Sequence, residues 1–221
     1  MIKYPEPGKV KTRLAKAVGR EKAADIYKCL VEKVITKTGP SFFTPPFLAI
    51  SPTPPFAKRG ISDIHHGAEY CEMMYERIFF YDPPGRFRDF DTWFPGERFI
   101  QQSGSDVGER MDNVLHDLLD MGAKKAVVTG ADIPDLSSAI IMEAFTALDH
   151  ADIVIGPAKD GGYYLIGMKA PHSEIFQDIP WSTGKVLEET MRIIRKLQLR
   201  CASITTLSDL DTEEDYKRLS L

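Results

Sequence analysis

Short apolar runs and amphipathic helical stretches take turns along this chain of 221 residues, and that alternation restricts its fold more than any other feature. Ala23, Tyr27, Leu30, Val31, Val34 and Ile35 return at helical spacing across residues 23–37, with Gly39 as the stop. Met111, Val114, Leu115, Leu118 and Leu119 follow the same period, and Gly122 closes that helix. Residues 183–197 carry a third stripe through Val186, Leu187, Thr190, Met191, Ile194 and Leu197. A shorter helix is expected after Ser137, whose neighbours Leu136 and Ile141 are spaced for a hydrophobic staple. Between these lie β-branched or aromatic runs at 77–81, 126–129, 152–155, 163–166 and 201–207. Strands alternating with helices predict a three-layer α/β/α fold around a mixed, mostly parallel sheet. The run at 163–166 follows its predecessor too closely for a helical crossover, so it is expected to be antiparallel or an edge strand.

Residues 40–74 interrupt the pattern. Pro40, Pro45, Pro46, Pro52, Pro54 and Pro55 forbid a regular helix there and argue against a central strand. This excursion, with a helix expected at 64–75, is read as a cover for the site, as a contact with another subunit in a homodimer, or as a loop. No repeat or domain boundary divides residues 1–221, and a chain of this length buries roughly 70% of its surface without staples. The net charge of −4 argues against a general nucleic-acid binder, but a nucleotide substrate needs only local positive charge. Cys29, Cys71 and Cys201 show no metal or redox spacing and are expected as reduced thiols. No run is long enough to cross a membrane and no leader opens the sequence, so the expected location is the cytoplasm.

Four elements carry chemistry. Gly130-Ala131-Asp132-Ile133-Pro134-Asp135 follows the buried run 126–129 and delivers acids at a strand end, where ligands of α/β sheets bind. Asp132 and Asp135 are candidate ligands for Mg²⁺ or Mn²⁺, which take carboxylate, phosphate and water oxygens; the plainer reading makes Asp135 a turn residue. Asp160-Gly161-Gly162 follows the next strand, with Asp160 as a second candidate acid. Its glycines either let the backbone approach a ligand or simply close a hairpin. In the opening segment, Lys9, Lys11 and Arg13 follow a loop fixed by Pro5, Pro7 and Gly8, a pattern suited to polyphosphate or to a solvated basic loop. The polar stretch 101–111 offers Arg110 to a ligand, while Ser105 or Asp106 caps the helix behind it. Trp181 either staples to Val186 behind a Ser182 cap or stacks on a base or sugar. Thr212 and Asp215 read as a capping box, and His65-His66 lacks a metal spacing.

Taken in order, several motifs together resemble one family. They are Lys3-Tyr4-Pro5-Glu6-Pro7-Gly8-Lys9-Val10-Lys11-Thr12-Arg13-Leu14-Ala15, Gly108-Glu109-Arg110-Met111, Gly130-Ala131-Asp132-Ile133-Pro134-Asp135-Leu136, the segment from Gly156 to Gly167, Trp181-Ser182-Thr183 and Asp211-Thr212. Over residues 3–39 and 76–219 the chain is similar to the DUF2064 family, also called radical-SAM/selenodomain-associated transferase 1. The resemblance implies the GT-A, or nucleotide-diphospho-sugar transferase, fold. It implies phosphate binding by Gly8, Lys11 and Arg13, a metal acid at Asp132, and a second acid near the metal or acceptor at Asp160. Gly161, Gly162 and Trp181 are the expected substrate or acceptor contacts. Two departures stand out. Only Met1 and Ile2 precede the basic motif where related chains carry a full apolar strand, and residues 40–74 are longer and richer in proline.

The expected activity is glycosyl or nucleotidyl transfer from a nucleotide sugar or a nucleoside triphosphate, dependent on Mg²⁺ or Mn²⁺. The alternative is a nucleotide-binding or scaffold protein of the same fold without catalysis. Neither nucleic acid nor a membrane is an expected partner.

Overall fold

The structure is a computed structural model that describes residues 1–39, 48–50, 75–210 and 212–219. In chain order the elements are β1 (Ile2–Lys3), α1 (Thr12–Val18), α2 (Arg20–Thr38), β2 (Leu48–Ile50), β3 (Glu76–Arg77), β4 (Phe79–Asp82), α3 (Phe87–Trp93) and β5 (Phe99–Gln101). The second half adds α4 (Val107–Asp120), β6 (Ala126–Thr129), α5 (Ser138–His150), β7 (Ile153–Pro157), β8 (Tyr163–Met168), α6 (Val186–Lys196), β9 (Cys201–Ser203) and α7 (Glu213–Leu219).

Two sheets carry the site. One runs β1-β4-β5, all parallel; the other runs β6-β8-β7-β9. The nitrogen of Met1 donates to the carbonyl of Thr129, so the start of β1 lies beside the end of β6. In the second sheet β8 is antiparallel to both β6 and β7, while β7 and β9 are parallel. The antiparallel expectation for 163–166 is met; the edge alternative is not, because β8 lies between two strands. Gly167 there packs against the Val127 and Val154 side chains on either side, a seam too tight for a larger residue.

Alternation along β4 separates the helical layers. Ile78 and Phe80 join α4 residues Met111, Val114, Leu115 and Leu118 in the main core. Phe79 and Tyr81 point the other way and pack with Tyr27 and Val31 of α2 and Phe90 of α3. Successive strand side chains face opposite sides, so a strand that is apolar throughout must be covered on both. The result is the expected three-layer α/β/α arrangement, its strands shared between an all-parallel sheet and a mixed one in which only β8 is reversed.

The start and end of α4 and the start of α7 obey their sequence signals, and the start of α6 is an exception. α4 starts at Asp106, whose carboxylate accepts from Glu109 N at 2.9 Å, and it ends through Gly122 (φ +100). Gly122 N and Ala123 N return to the carbonyls of Leu119 and Leu118, the paired bonds that satisfy a helix terminus through a left-handed glycine. Thr212 and Asp215 form the expected reciprocal cap, with Thr212 Oγ1 donating to Asp215 Oδ2 at 2.6 Å. The exception is α6: it begins at Val186 with Lys185 at the cap position, and Ser182 sits upstream with φ +65. The 180–185 turn closes instead through Thr183, whose hydroxyl donates to Pro180 O. The proline-rich segment and the helix expected at 64–75 lie outside the described residues, apart from β2, which pairs antiparallel with β3.

Candidate functional site

After β1 the chain turns back on itself. Tyr4 N donates to Asp82 O at 3.0 Å and Lys9 N to Glu6 O at 3.0 Å, which sets the basic loop over the carboxyl ends of β1 and β4. Lys11 then occupies the cap position of α1 in the left-handed conformation, φ +45 and ψ +48. For a lysine this costs on the order of 1 kcal/mol. What it gains is a placement: its ammonium lies 2.8 Å from Asp132 Oδ2, with the Lys11 side chain only 5% exposed and that of Asp132 30%.

Asp132 reaches the same point from β6. The turn that carries it is anchored by the buried side chains of Ile133 and Leu136, with Leu136 N donating to Ile133 O. Burial pushes the Asp132 carboxyl up, but the charge and hydrogen bond of Lys11 pull it down further, and it rests below the usual carboxylate range. Tyr27 of α2 stands close by. Its hydroxyl accepts from Lys3 N at 2.9 Å, and burial, then the Asp132 charge, push its pKa far upward, so it stays protonated.

The third contribution comes from the start of α4, where each residue of Gly108-Glu109-Arg110-Met111 has a separate task. A Cβ on Gly108 would lie 2.3 Å from the Trp181 ring, so only glycine lets that indole close over the helix. The Glu109 carboxylate accepts from Ser105 N and Ser105 Oγ at 2.7 and 2.6 Å and ties down the loop ahead. Arg110 points back: Nε donates to Gly104 O at 3.2 Å, and Nη1 lies 3.4 Å from Asp82 Oδ2. Met111 is buried in the core.

These elements enclose a cavity of about 560 Å³ lined by Lys9, Lys11, Arg13 and Arg110 together with Asp106 and Asp132. Four residues singled out in the sequence, Lys11, Arg13, Arg110 and Asp132, are therefore brought together. Gly8 shapes the loop behind them at φ +80. Asp135 faces a separate groove with Cys29, Lys33 and Pro134. Asp160 sits at the β7–β8 hairpin, where its Oδ1 accepts from Gly162 N at 2.9 Å. Gly161 (φ +89) fits so closely that a Cβ would lie 2.2 Å from Gly184 O, and its own carbonyl accepts from Leu187 N. Trp181 meets Tyr163 edge-on with centroids 6.3 Å apart, and it borders a neighbouring cavity shared with Asp106, Glu109, Asp112 and Asp178. Among the described residues no group of three acidic, histidine or cysteine side chains gathers as a metal cage.

The sequence did not single out Tyr27, Gln102 or Asp82. Tyr27 was legible only as one position of a helical stripe. Asp82, which directly follows the apolar run 77–81, shares the strand-end position that marked Asp132.

The family described as "Uncharacterized protein conserved in bacteria (DUF2064)" matches residues 71–183. Among solved structures, a candidate nucleotide-diphospho-sugar transferase from Desulfovibrio desulfuricans G20 is 30% identical. The alignment covers 99% of this chain and 83% of that one at a TM-score of 0.80. Looser likenesses include 4-diphosphocytidyl-2C-methyl-D-erythritol synthase from Anaerococcus prevotii DSM 20548, 12% identical over 65% of this chain and 78% of that one at TM-score 0.46. The bifunctional IspDF from Campylobacter jejuni is also 12% identical, over 64% of this chain and 41% of that one, at TM-score 0.46. No curated protein matches.

Proposed function

The chain belongs to the DUF2064 family, and we propose that it is a divalent-metal-dependent transferase acting on a nucleotide sugar or a nucleoside triphosphate. One observation carries this reading: cations of the opening loop share a cavity with the strand-end acid Asp132. The size of that cavity, about 560 Å³, suits a nucleotide.

Mg²⁺ or Mn²⁺ fits the donors. Asp132 and Asp106 both line the cavity with hard carboxylate oxygens, and among the described residues no third acid joins them in a cage. An ion held by these carboxylates would draw its remaining ligands from substrate phosphate and water. Such an ion neutralises phosphate charge and stabilises the leaving oxygen. Lys11, displaced from Asp132, is then a point charge for phosphate, and Arg13 and Arg110 can each grip two phosphate oxygens. Thr12 and Ser182 line the cavity without a histidine or cysteine among the described lining residues, so direct displacement is favoured over a covalent intermediate.

Titration calorimetry and thermal shift with nucleotides, with and without Mn²⁺, test this reading. A ligand at 100 times its dissociation constant adds about 2.7 kcal/mol, a rise of roughly 5–10 °C for a chain of this size. Asp132→Ala removes the metal-dependent part of that rise. Released nucleoside diphosphate identifies glycosyl transfer and released pyrophosphate nucleotidyl transfer. Metal-independent binding without turnover, unchanged in Asp132→Ala, overturns the enzyme reading in favour of a binding module.

A further inference from the structure

We propose that Gln102 is the residue that reads the nucleoside part of the substrate, its side-chain oxygen accepting a hydrogen bond from an N–H or O–H of the base or ribose. The inference rests on the reading above that the cavity takes a nucleotide. Gln102 directly follows β5, is 9% exposed and lines the cavity. Its backbone nitrogen donates to Tyr81 O at 2.9 Å. Its amide nitrogen donates to Phe80 O at 2.7 Å and, more weakly, to Ile2 O at 3.4 Å.

Those two partners settle which way the amide faces. Both are carbonyl oxygens, which only accept, so the end of the amide turned toward them must be the NH₂. The oxygen is therefore fixed at the other end, and among the described residues nothing donates to it. A buried side chain whose acceptor has no protein partner, on the wall of a cavity, leaves that acceptor for a ligand. Phosphate cannot be the ligand, because phosphate oxygens are themselves acceptors and are met by Lys11, Arg13 and Arg110. The donor must come from the uncharged part of the nucleotide. Because the amide nitrogen is held by the carbonyls of Phe80 and Ile2, turning the oxygen to suit a wrong partner would break those bonds, and a fixed acceptor discriminates more sharply than a mobile one.

The test compares a nucleoside triphosphate with inorganic tripolyphosphate, both with Mn²⁺, by calorimetry. Gln102→Met keeps the side-chain volume and removes the amide. The expected result is an affinity for the triphosphate lowered about tenfold, the weight of one buried hydrogen bond, with tripolyphosphate binding unchanged. Equal loss of both ligands, loss of neither, or weakened binding of Mn²⁺ alone overturns the proposal. Should the variant not fold, the wild-type protein decides with the four ribonucleoside triphosphates and their 2′,3′-dideoxy forms. A preference among bases that persists in the dideoxy series places the donor on the base; a uniform loss in that series places it on the ribose. If every triphosphate binds like tripolyphosphate, the Gln102 contact is refuted while phosphate binding stands. If none binds, the nucleotide reading itself falls and takes this contact with it.

Discussion

Lys11 and Asp132 neutralise each other across 2.8 Å, and under the proposed function each pairs with a different ligand. Two opposite effects are expected of Lys11→Met. Asp132 loses its competing cation, so Mn²⁺ alone binds several-fold more tightly. The phosphates lose a charge, so nucleotide binding weakens. The variant is also less stable by about 1–3 kcal/mol, because a partly buried carboxylate is left unpaired, and Mn²⁺ restores part of its melting temperature. Spin-resonance titration of Mn²⁺ checks the first effect; weaker metal binding in the variant would refute the competition. Gly108 poses a steric question at the same scale. In Gly108→Ala the new methyl group collides with Trp181, and overpacking of this kind costs about 1–3 kcal/mol. In a Trp93→Phe background, the remaining indole fluorescence reports whether the ring is displaced.

Single strands and helices explain what the sequence revealed and what it hid. The run at 126–129 coincides with β6, and the stripe from Met111 to Leu119 falls within α4, because each has one face or both committed to the core. β1 and β5 span only two and three residues, too short for a period to register. α3 is missed because it spans only seven residues, too few for a helical stripe to stand out, and follows a proline-glycine turn. Ser182 misled because a serine ahead of an apolar stripe usually caps it, whereas here the turn is closed by Thr183. Elements are also clipped together electrostatically. Asp152, just before β7, accepts from the backbone nitrogen, Nε and Nη2 of Arg200, just before β9. These bonds hold the Asp152 carboxyl well below its usual range. A carboxyl with a depressed native pKa adds stability above the unfolded value near pH 4, and that stability drains away as pH falls further. Asp152→Asn should therefore lower the melting temperature by roughly 2–4 °C at pH 7, about 1 kcal/mol, and by progressively less in acid. Parallel melting curves for variant and wild type from pH 7 to 3 would contradict this.

At the level of the whole molecule, charge is unevenly placed. The chain carries −4 overall, yet five basic side chains, Lys3, Lys9, Lys11, Arg13 and Arg110, line one cavity with two acids. Raising salt from 0.05 to 0.5 M is expected to weaken nucleotide binding, since the Debye length shrinks from roughly 14 to 4 Å. Single-stranded DNA is expected not to compete, having no extended basic track to follow. A salt-insensitive affinity, or competition by DNA, would count against this picture. The site was legible to the extent that its parts lie at strand ends and in charged loops, as Lys11, Arg13 and Asp132 do. Tyr27 and Gln102 were not, because a helical stripe and a loop glutamine disclose nothing until tertiary packing turns them inward. Chain order adds a constraint of timing. β8 is the seam between β6 and β7, so a ribosome that has released only the first 162 residues has made the two flanking strands without the one that pairs with both. Asp132 thus acquires its final setting late in synthesis, and nascent chains halted before residue 163 should be incompetent to hold a ligand however long they are left to fold.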